Sequence, residues 1–322
     1  MTPYDRPLLA VLADQTRSTV VGRHRARFLH AMTTADVGKA PPGAAGFALM
    51  ATANGRHIGQ VRYEIEDERI QLVGRGASLA AVLEGLKKHR VADDVRWSEP
   101  TPEVVLALYG ERAPAIAEIA LGATLGAIAP GRGFEDVTWD GVSVRVTRIP
   151  ALESELGRPA LHLRAPLTHA ASLRVRLLSA GAEPLDQADW ERLRIEAAWP
   201  LDGLDLGQDD VALASDRLAA TVSWNKGCFL GQEVYVMARD RGELPKRLRG
   251  VMVQGGLAPA VHQELFPAES PPGKVQGVLG SAAPIAAGGY LGLAMLKRKV
   301  AEPGTELALA DGRKVRVVSL PR

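Results

Sequence analysis

The sequence predicts an α+β fold that ends in a small all-β barrel, and three observations carry that reading. Helical and strand-like segments alternate only loosely up to about residue 240, with hairpins among them, which favours antiparallel sheet over a doubly wound parallel one. After Pro245 the pattern changes to short strand-like runs between Gly, Pro and Asp-Gly turns, with no helical periodicity. The chain has 322 residues, and at roughly 150 residues per domain that length suggests about two domains.

Along the chain, residues 18–22 form a β-branched strand, and 25–32 place Phe28, Leu29 and Met32 on one helical face. Pro41-Pro42-Gly43 marks an exposed turn. Val61, Tyr63 and Ile65 alternate with Arg62, Glu64 and Glu66, the signature of a half-buried strand; Asp67-Glu68 turns it into a hairpin partner at 70–73. Ser78 stands as N-cap before Leu79, Val82, Leu83 and Leu86 at helical spacing. Gly74-Arg75-Gly76 ahead of that helix is part of a dinucleotide-binding pattern. Leu79 fills the place of its third glycine, so it reads as a strand-to-helix turn. A strand at 104–109, a helix at 115–121, a strand at 142–146 after Asp140-Gly141, and helices at 167–180 and 188–197 complete the body. The barrel strands are expected at 248–253, 277–279, 290–296, 306–310 and 314–318, with the proline-rich 259–274 as a long loop. The expected division is therefore a body at 1–244 and a barrel at 245–322.

Composition removes several functions. The single cysteine, Cys228, permits no intrachain disulfide, no CxxC pair and no cluster held by one chain. Thirty-nine Lys+Arg against 37 Asp+Glu leave a charge of +2, too little for a general attraction to nucleic acid or membrane, and neither contact is expected. The most apolar stretch, 119–130, falls short of the roughly 18 residues that cross a bilayer, and Asp5 sits where a signal peptide wants positive charge; a cytoplasmic protein is expected. The seven histidines form no metal-binding pattern, so no metal site is assigned.

Three clusters carry candidate chemistry. In Lys226-Gly227-Cys228-Phe229-Leu230-Gly231-Gln232-Glu233, two glycines bracket the thiol and neither helix nor strand periodicity holds. The thiol is either a buried cysteine in a tight turn or a reactive one, with the Lys226 ammonium favouring its thiolate. In Arg194-Ile195-Glu196-Ala197-Ala198-Trp199-Pro200, Arg194 and Glu196 are either a surface pair at a helix end or Glu196 is an acceptor for a planar donor edge such as a pterin, shielded by Trp199. Arg239, Arg241, Lys246, Arg247 and Arg249 form a solvated linker face or an anion site.

KGCFLGQE resembles the signature octapeptide of the YgfZ-type folate-binding proteins, relatives of the glycine-cleavage T-protein (aminomethyltransferase). Gly22, Phe28-Leu29 and Thr34-Ala35-Asp36-Val37 resemble that family's opening motif. Arg194, Glu196-Ala197, Pro200, Gly203 and Asp205 resemble its RxEAGxPxxGxD, and Arg241-Gly242 with Arg247-Leu248 resemble its RGxxxRRL, C-terminal to the octapeptide. The resemblance implies an α+β folate-binding body of two lobes at 1–244 around a central hole and a C-terminal β-barrel, with tetrahydrofolate or a derivative as cofactor. It places Glu196 on the pterin edge, with Trp199 and Arg241 as further folate contacts and Cys228 as the functional thiol. Lys226, Gly227, Phe229, Gly231, Gln232 and Glu233 fall on the motif around that thiol. It further implies an accessory role in iron–sulfur cluster assembly or repair, and indirectly in tRNA modification, with iron–sulfur assembly proteins or enzymes as transient partners. Such a protein is not expected to be an ordinary enzyme; if it is one, it is a tetrahydrofolate-dependent one-carbon transferase.

Departures from the family pattern are His24 for Asp, Ala198 for Gly, Asp202 for an aromatic residue, Ala212 and Ala214 for Pro and Glu, and Met237 for Arg. The transferase carries an aspartate after its NxxGGxxDD turn. The matching stretch here, Asn54 to Gln60, has no carboxylate at Gly59 or Gln60, which argues for the accessory role. The alternatives are an aminomethyltransferase of the glycine-cleavage type and a non-catalytic interaction scaffold.

Overall fold

The computed structural model describes residues 6–125, 133–242, 244–269 and 272–320. Asp5, residues 126–130 of the apolar stretch and Pro271 of the proline-rich loop lie outside the described residues. Chain contacts define two units, one of Met1–Met50, Ile58–Asp186 and Thr221–Leu230, the other of Ala51–His57, Gln187–Ala220 and Gly231–Arg322.

The elements of the first stretch are β1 (Leu8–Val21), α1 (Arg25–Met32), β2 (Ala45–Ala51), β3 (His57–Ile65), β4 (Arg69–Arg75), α2 (Gly76–His89), β5 (Arg96–Trp97), β6 (Thr101–Tyr109) and α3 (Ala113–Leu121). Then come β7 (Phe134–Trp139), β8 (Val142–Ile149), β9 (Ala160–Arg164), α4 (Leu167–Ser179) and β10 (Glu183–Pro184). They build one sheet in the order β2-β3-β4-β1-β6-β9-β8-β7, with β5 and β10 pairing further along β1. The sheet curls strongly. Arg145 on β8 donates to Glu64 on β3 at 3.1 Å although four strands lie between them in the sheet order.

Strand periodicity sets what lies on each face. Val20, Ile70 and Leu72 pack beneath Leu79, Val82 and Leu86 of α2 in one apolar cluster. Leu106, Leu108, Val144 and Leu163 pack beneath Ala117 of α3 and Leu173 and Leu177 of α4 in another. On the concave side Arg62, Glu64, Arg145, Thr147, His162 and Arg164 bond among themselves and with Glu155.

The second unit holds α5 (Gln187–Glu196), α6 (Asp216–Ala219), α7 (Gln232–Arg241) and the strands β11 (Lys246–Val253), β12 (Glu264–Pro267), β13 (Gly277–Pro284), β14 (Tyr290–Lys297), β15 (Glu306–Ala308) and β16 (Lys314–Val318). These six strands close into a barrel in the order β11-β14-β13-β12-β15-β16. Val251, Leu265, Leu279, Leu296, Leu307 and Val317 fill it.

Several expectations are corrected. The first strand is not the short run 18–22 but 14 residues long, because its N-terminal half is a second buried run, Leu8 to Ala10, paired with β6. Ser78 is not an N-cap; the helix begins at Gly76, and the Ser78 hydroxyl accepts from the Gln60 N–H and donates to the Gln60 carbonyl, both at 2.8 Å. The supposed loop 259–274 contains β12. Its Pro267 ends a strand paired with Leu307, where the missing N–H is tolerated.

Candidate functional site

The octapeptide is a turn that leads into a helix. Lys226 is 8% exposed, and its Nζ donates to the carbonyls of His30, Thr33 (2.6 Å) and Ala35 (2.8 Å) around the C-terminus of α1. Those acceptors are the carbonyl ends that a helix terminus leaves without partners, so a buried ammonium there answers an existing need. The Leu230 N–H adds a bond to Ala31 O at 2.9 Å, and Ser223 N–H one to Thr34 O at 3.1 Å. Phe229 is buried, with the Lys226 ammonium 5.3 Å from its ring centre. Gly231 has φ 78° and is the N-cap of α7; a Cβ there would lie 2.4 Å from Thr52 O, so only glycine fits. Gln232 and Glu233 open the helix.

Cys228 is exposed, which decides against the buried-cysteine alternative. The three N–H donors of the Lys226 ammonium are taken by carbonyls of α1 and the chain after it, which leaves none to bond the thiol. Burial also pulls Lys226 down to about 8, against the pull of Asp36. The imidazole of His30 does lie beside the motif. A Cβ at Gly227 would be 3.5 Å from His30 Nε2, while Nδ1 lies 3.2 Å from the Gly38 N–H and 3.1 Å from Asp36 Oδ1. Burial, then Lys226, lowers the His30 pKa, favouring neutral imidazole.

The second cluster separates into two roles. Arg194 is fully buried and does not pair with Glu196. Its guanidinium bonds to Asp205 Oδ2 at 2.9 Å, to Ser281 Oγ at 2.6 Å, to Glu191 and to the Trp199 carbonyl. Asp205 also accepts from the backbone N–H groups of Leu201 (2.9 Å) and Ser281 (2.8 Å). A Cβ on Gly280 would meet Asp205 Oδ1 at 2.4 Å, so Arg194 and Asp205 of the motif form one buried joint with Gly280 and Ser281 that links α5, the 199–205 turn and β13. Glu196 instead pairs with Arg192 at 2.7 Å, four residues earlier on α5, and its side chain is 41% exposed. It therefore remains reachable as an acceptor. Trp199 is 3% exposed, so it serves the core and offers no face to a ligand. Arg241 is exposed in the last turn of α7 and makes no ion pair among the described residues, whereas Lys246 pairs with Asp210 and Arg249 with Asp216.

One pairing had no signal in the sequence. His57, 2% exposed, contacts Asp202 Oδ1 through Nε2 at 2.7 Å across 145 positions of chain, and its Nδ1 is buried without a hydrogen-bond partner among the described residues. Asp202 departs from the expected family pattern, and the residue it meets, His57, lies in the stretch from Asn54 to Gln60. Among the described residues, no group of three or more His, Cys, Asp or Glu side chains is placed to hold a metal ion.

No protein-family model matches the chain. Curated relatives do. An aminomethyltransferase of Mycobacterium leprae (strain TN) is 28% identical over 246 residues, 74% of this chain and 64% of that protein. One of Frankia alni is 29% identical over 306 residues, 92% of this chain and 80% of that protein. The chain thus spans just under two thirds of the mycobacterial protein's length. Among solved structures, glycine cleavage system aminomethyltransferase T from Bartonella henselae superposes with a TM-score of 0.79 at 20% identity, covering 98% of this chain and 86% of that one. The fold is that of the glycine-cleavage aminomethyltransferases. These findings overturn the iron–sulfur accessory role, because both relatives, matched over 74% and 92% of this chain, carry the name of the transferase that had been the alternative.

Proposed function

We propose that this chain is a tetrahydrofolate-dependent aminomethyltransferase of the glycine-cleavage type. The observation that carries the proposal is the match of up to 92% of the chain to proteins of that name, in the same fold. Bound tetrahydrofolate supplies two nitrogens that take up a methylene carbon as ammonia and a thiol leave. The chain's polar groups suit such a ligand in part. Glu196, held by Arg192 and partly exposed, accepts from the ring N–H and amino group of a pterin edge. Arg241, exposed and without an ion pair among the described residues, offers a cation to the glutamate tail. Two protons must move in the balanced reaction, from the folate nitrogens to the amine and the sulfur. In this reading Cys228 forms no part of the transfer, and a cytoplasmic setting goes with it.

The test mixes the full chain with an aminomethyl-loaded lipoyl carrier protein and tetrahydrofolate. Ammonia release that requires both is expected. No release above the uncatalysed rate, with folate demonstrably bound, would sink the assignment.

A further inference from the structure

In the second unit, residues of the 203–210 segment and the outer face of the barrel line a cavity of about 400 Å³. Strand alternation puts Leu279, Ala294 and Leu296 inside the barrel and so turns Val278, Met295 and Lys297 outward. Val278 and Met295 stand opposite each other and, with Leu204 and Val275, give the cavity an apolar wall. Next to them on the same face, Lys297 of β14 stands opposite Lys246 of β11, an arrangement that repels unless anions lie beside it. Lys246 has its anion, Asp210 Oδ1, at 2.7 Å. Lys297 has none among the described residues. Its half-buried side chain lines the cavity, and its ammonium donates to the Val275 carbonyl, which leaves two N–H donors for a ligand. Of the acids in the lining, Asp205 is taken by Arg194 and Asp210 by Lys246, while Asp209 is exposed with the Arg56 guanidinium bonded to its backbone carbonyl. Another lining residue, His262, has φ 60°, a left-handed conformation disfavoured for any residue with a Cβ. Its N–H bond to Leu279 O at 2.8 Å and the bond from Nε2 to Gly203 O at 3.1 Å hold it there.

We propose that this cavity binds a short aliphatic monocarboxylate, whose head group accepts from the Lys297 ammonium and whose chain covers Leu204, Val278 and Met295. The apolar wall calls for a chain because covering it removes apolar surface from water. A single negative charge is favoured because Asp209 and Asp210 share the lining and would oppose a second. The site lies within one unit and does not depend on the transferase assignment.

Titration calorimetry of the full chain with hexanoate, acetate, 1-hexanol and hexylamine tests it. Hexanoate is expected to bind more tightly than acetate by about fourfold for each further methylene buried. It should bind at least about tenfold more tightly than hexanol or hexylamine, which cannot make the charge-assisted bond to an ammonium. In protein labelled at its methionine methyls, hexanoate should shift the Met295 resonance, assigned by its loss in Met295→Leu. Lys297→Gln keeps a donor for the Val275 carbonyl and removes the charge, so it should weaken hexanoate about tenfold and leave hexanol unchanged. No hexanoate binding, binding no tighter than that of hexanol, a Met295 methyl that does not move, or full affinity in Lys297→Gln would each overturn the proposal.

Discussion

Lys226 and Cys228 stand two residues apart and answer to different physics. Lys226→Met leaves three buried carbonyls without their donor and should destabilise the protein by about 3 kcal/mol, read from denaturant midpoints. The pH dependence has a definite sign. With its pKa lowered to about 8 by burial, Lys226 loses its proton in the folded chain before the unfolded one does, at the ordinary value of 10.5. Its contribution is therefore flat below pH 8 and becomes more favourable from there to 10.5, a rise that Lys226→Met should lack. Cys228→Ser, on an exposed side chain, should change stability by less than about 0.5 kcal/mol, and the native thiol should react with an aromatic disulfide without denaturant. Glu196→Gln should weaken tetrahydrofolate binding by about 1.5–3 kcal/mol in a titration; equal affinity would remove Glu196 from the site. The sequence did show which residues cluster here, but not all of their partners. Glu196 and Arg194 lie two positions apart and face different sides of α5, whereas Arg192, four positions away, shares the side of Glu196.

At the scale of elements, legibility followed the amphipathic pattern. Helices α2 to α5 bury one stripe each and emerge within a few residues of their expected limits. Strand β9 was missed because Ala160 to Arg164 are all buried, its histidine and arginine included, so alternation vanishes. Helix α7 was missed for the opposite reason: only Tyr235 is buried along Gln232–Arg241. The end of α5 carries a testable strain. Ala198 has φ 57°, a left-handed conformation that glycine adopts without a steric penalty. Ala198→Gly should therefore stabilise the protein by about 1 kcal/mol in thermal or chemical unfolding, whereas alanine at Gly231 should destabilise it through its contact with Thr52 O.

For the molecule as a whole, the octapeptide and the RxEA block pointed to the right fold and the wrong activity. The joint explains part of this. Arg194, Gly203 and Asp205 were matched to the family's RxEAGxPxxGxD, yet Arg194, Asp205 and Ser281 are bonded to one another in the interior, so their presence reports how the chain folds. The contact between His57 and Asp202 was illegible because the two residues lie 145 positions apart in sequence. If the transferase assignment is right, tetrahydrofolate should stabilise the whole chain, by about 2.7 kcal/mol at a hundredfold excess over its dissociation constant. A thermal midpoint that ignores reduced folates would leave only the fold in common with the relatives.

The long strand β1 has a consequence for the order of synthesis. It precedes all of its partners in the chain: β4, β5 and β6, complete at Tyr109, and β10, which ends at Pro184, while the first unit also needs Thr221–Leu230. On a ribosome that strand must wait for Tyr109 before both of its edges can pair, and its Leu8–Leu9 end waits for Pro184. Its two exposed edges are then the segment for which a chaperone or a neighbouring nascent chain would compete.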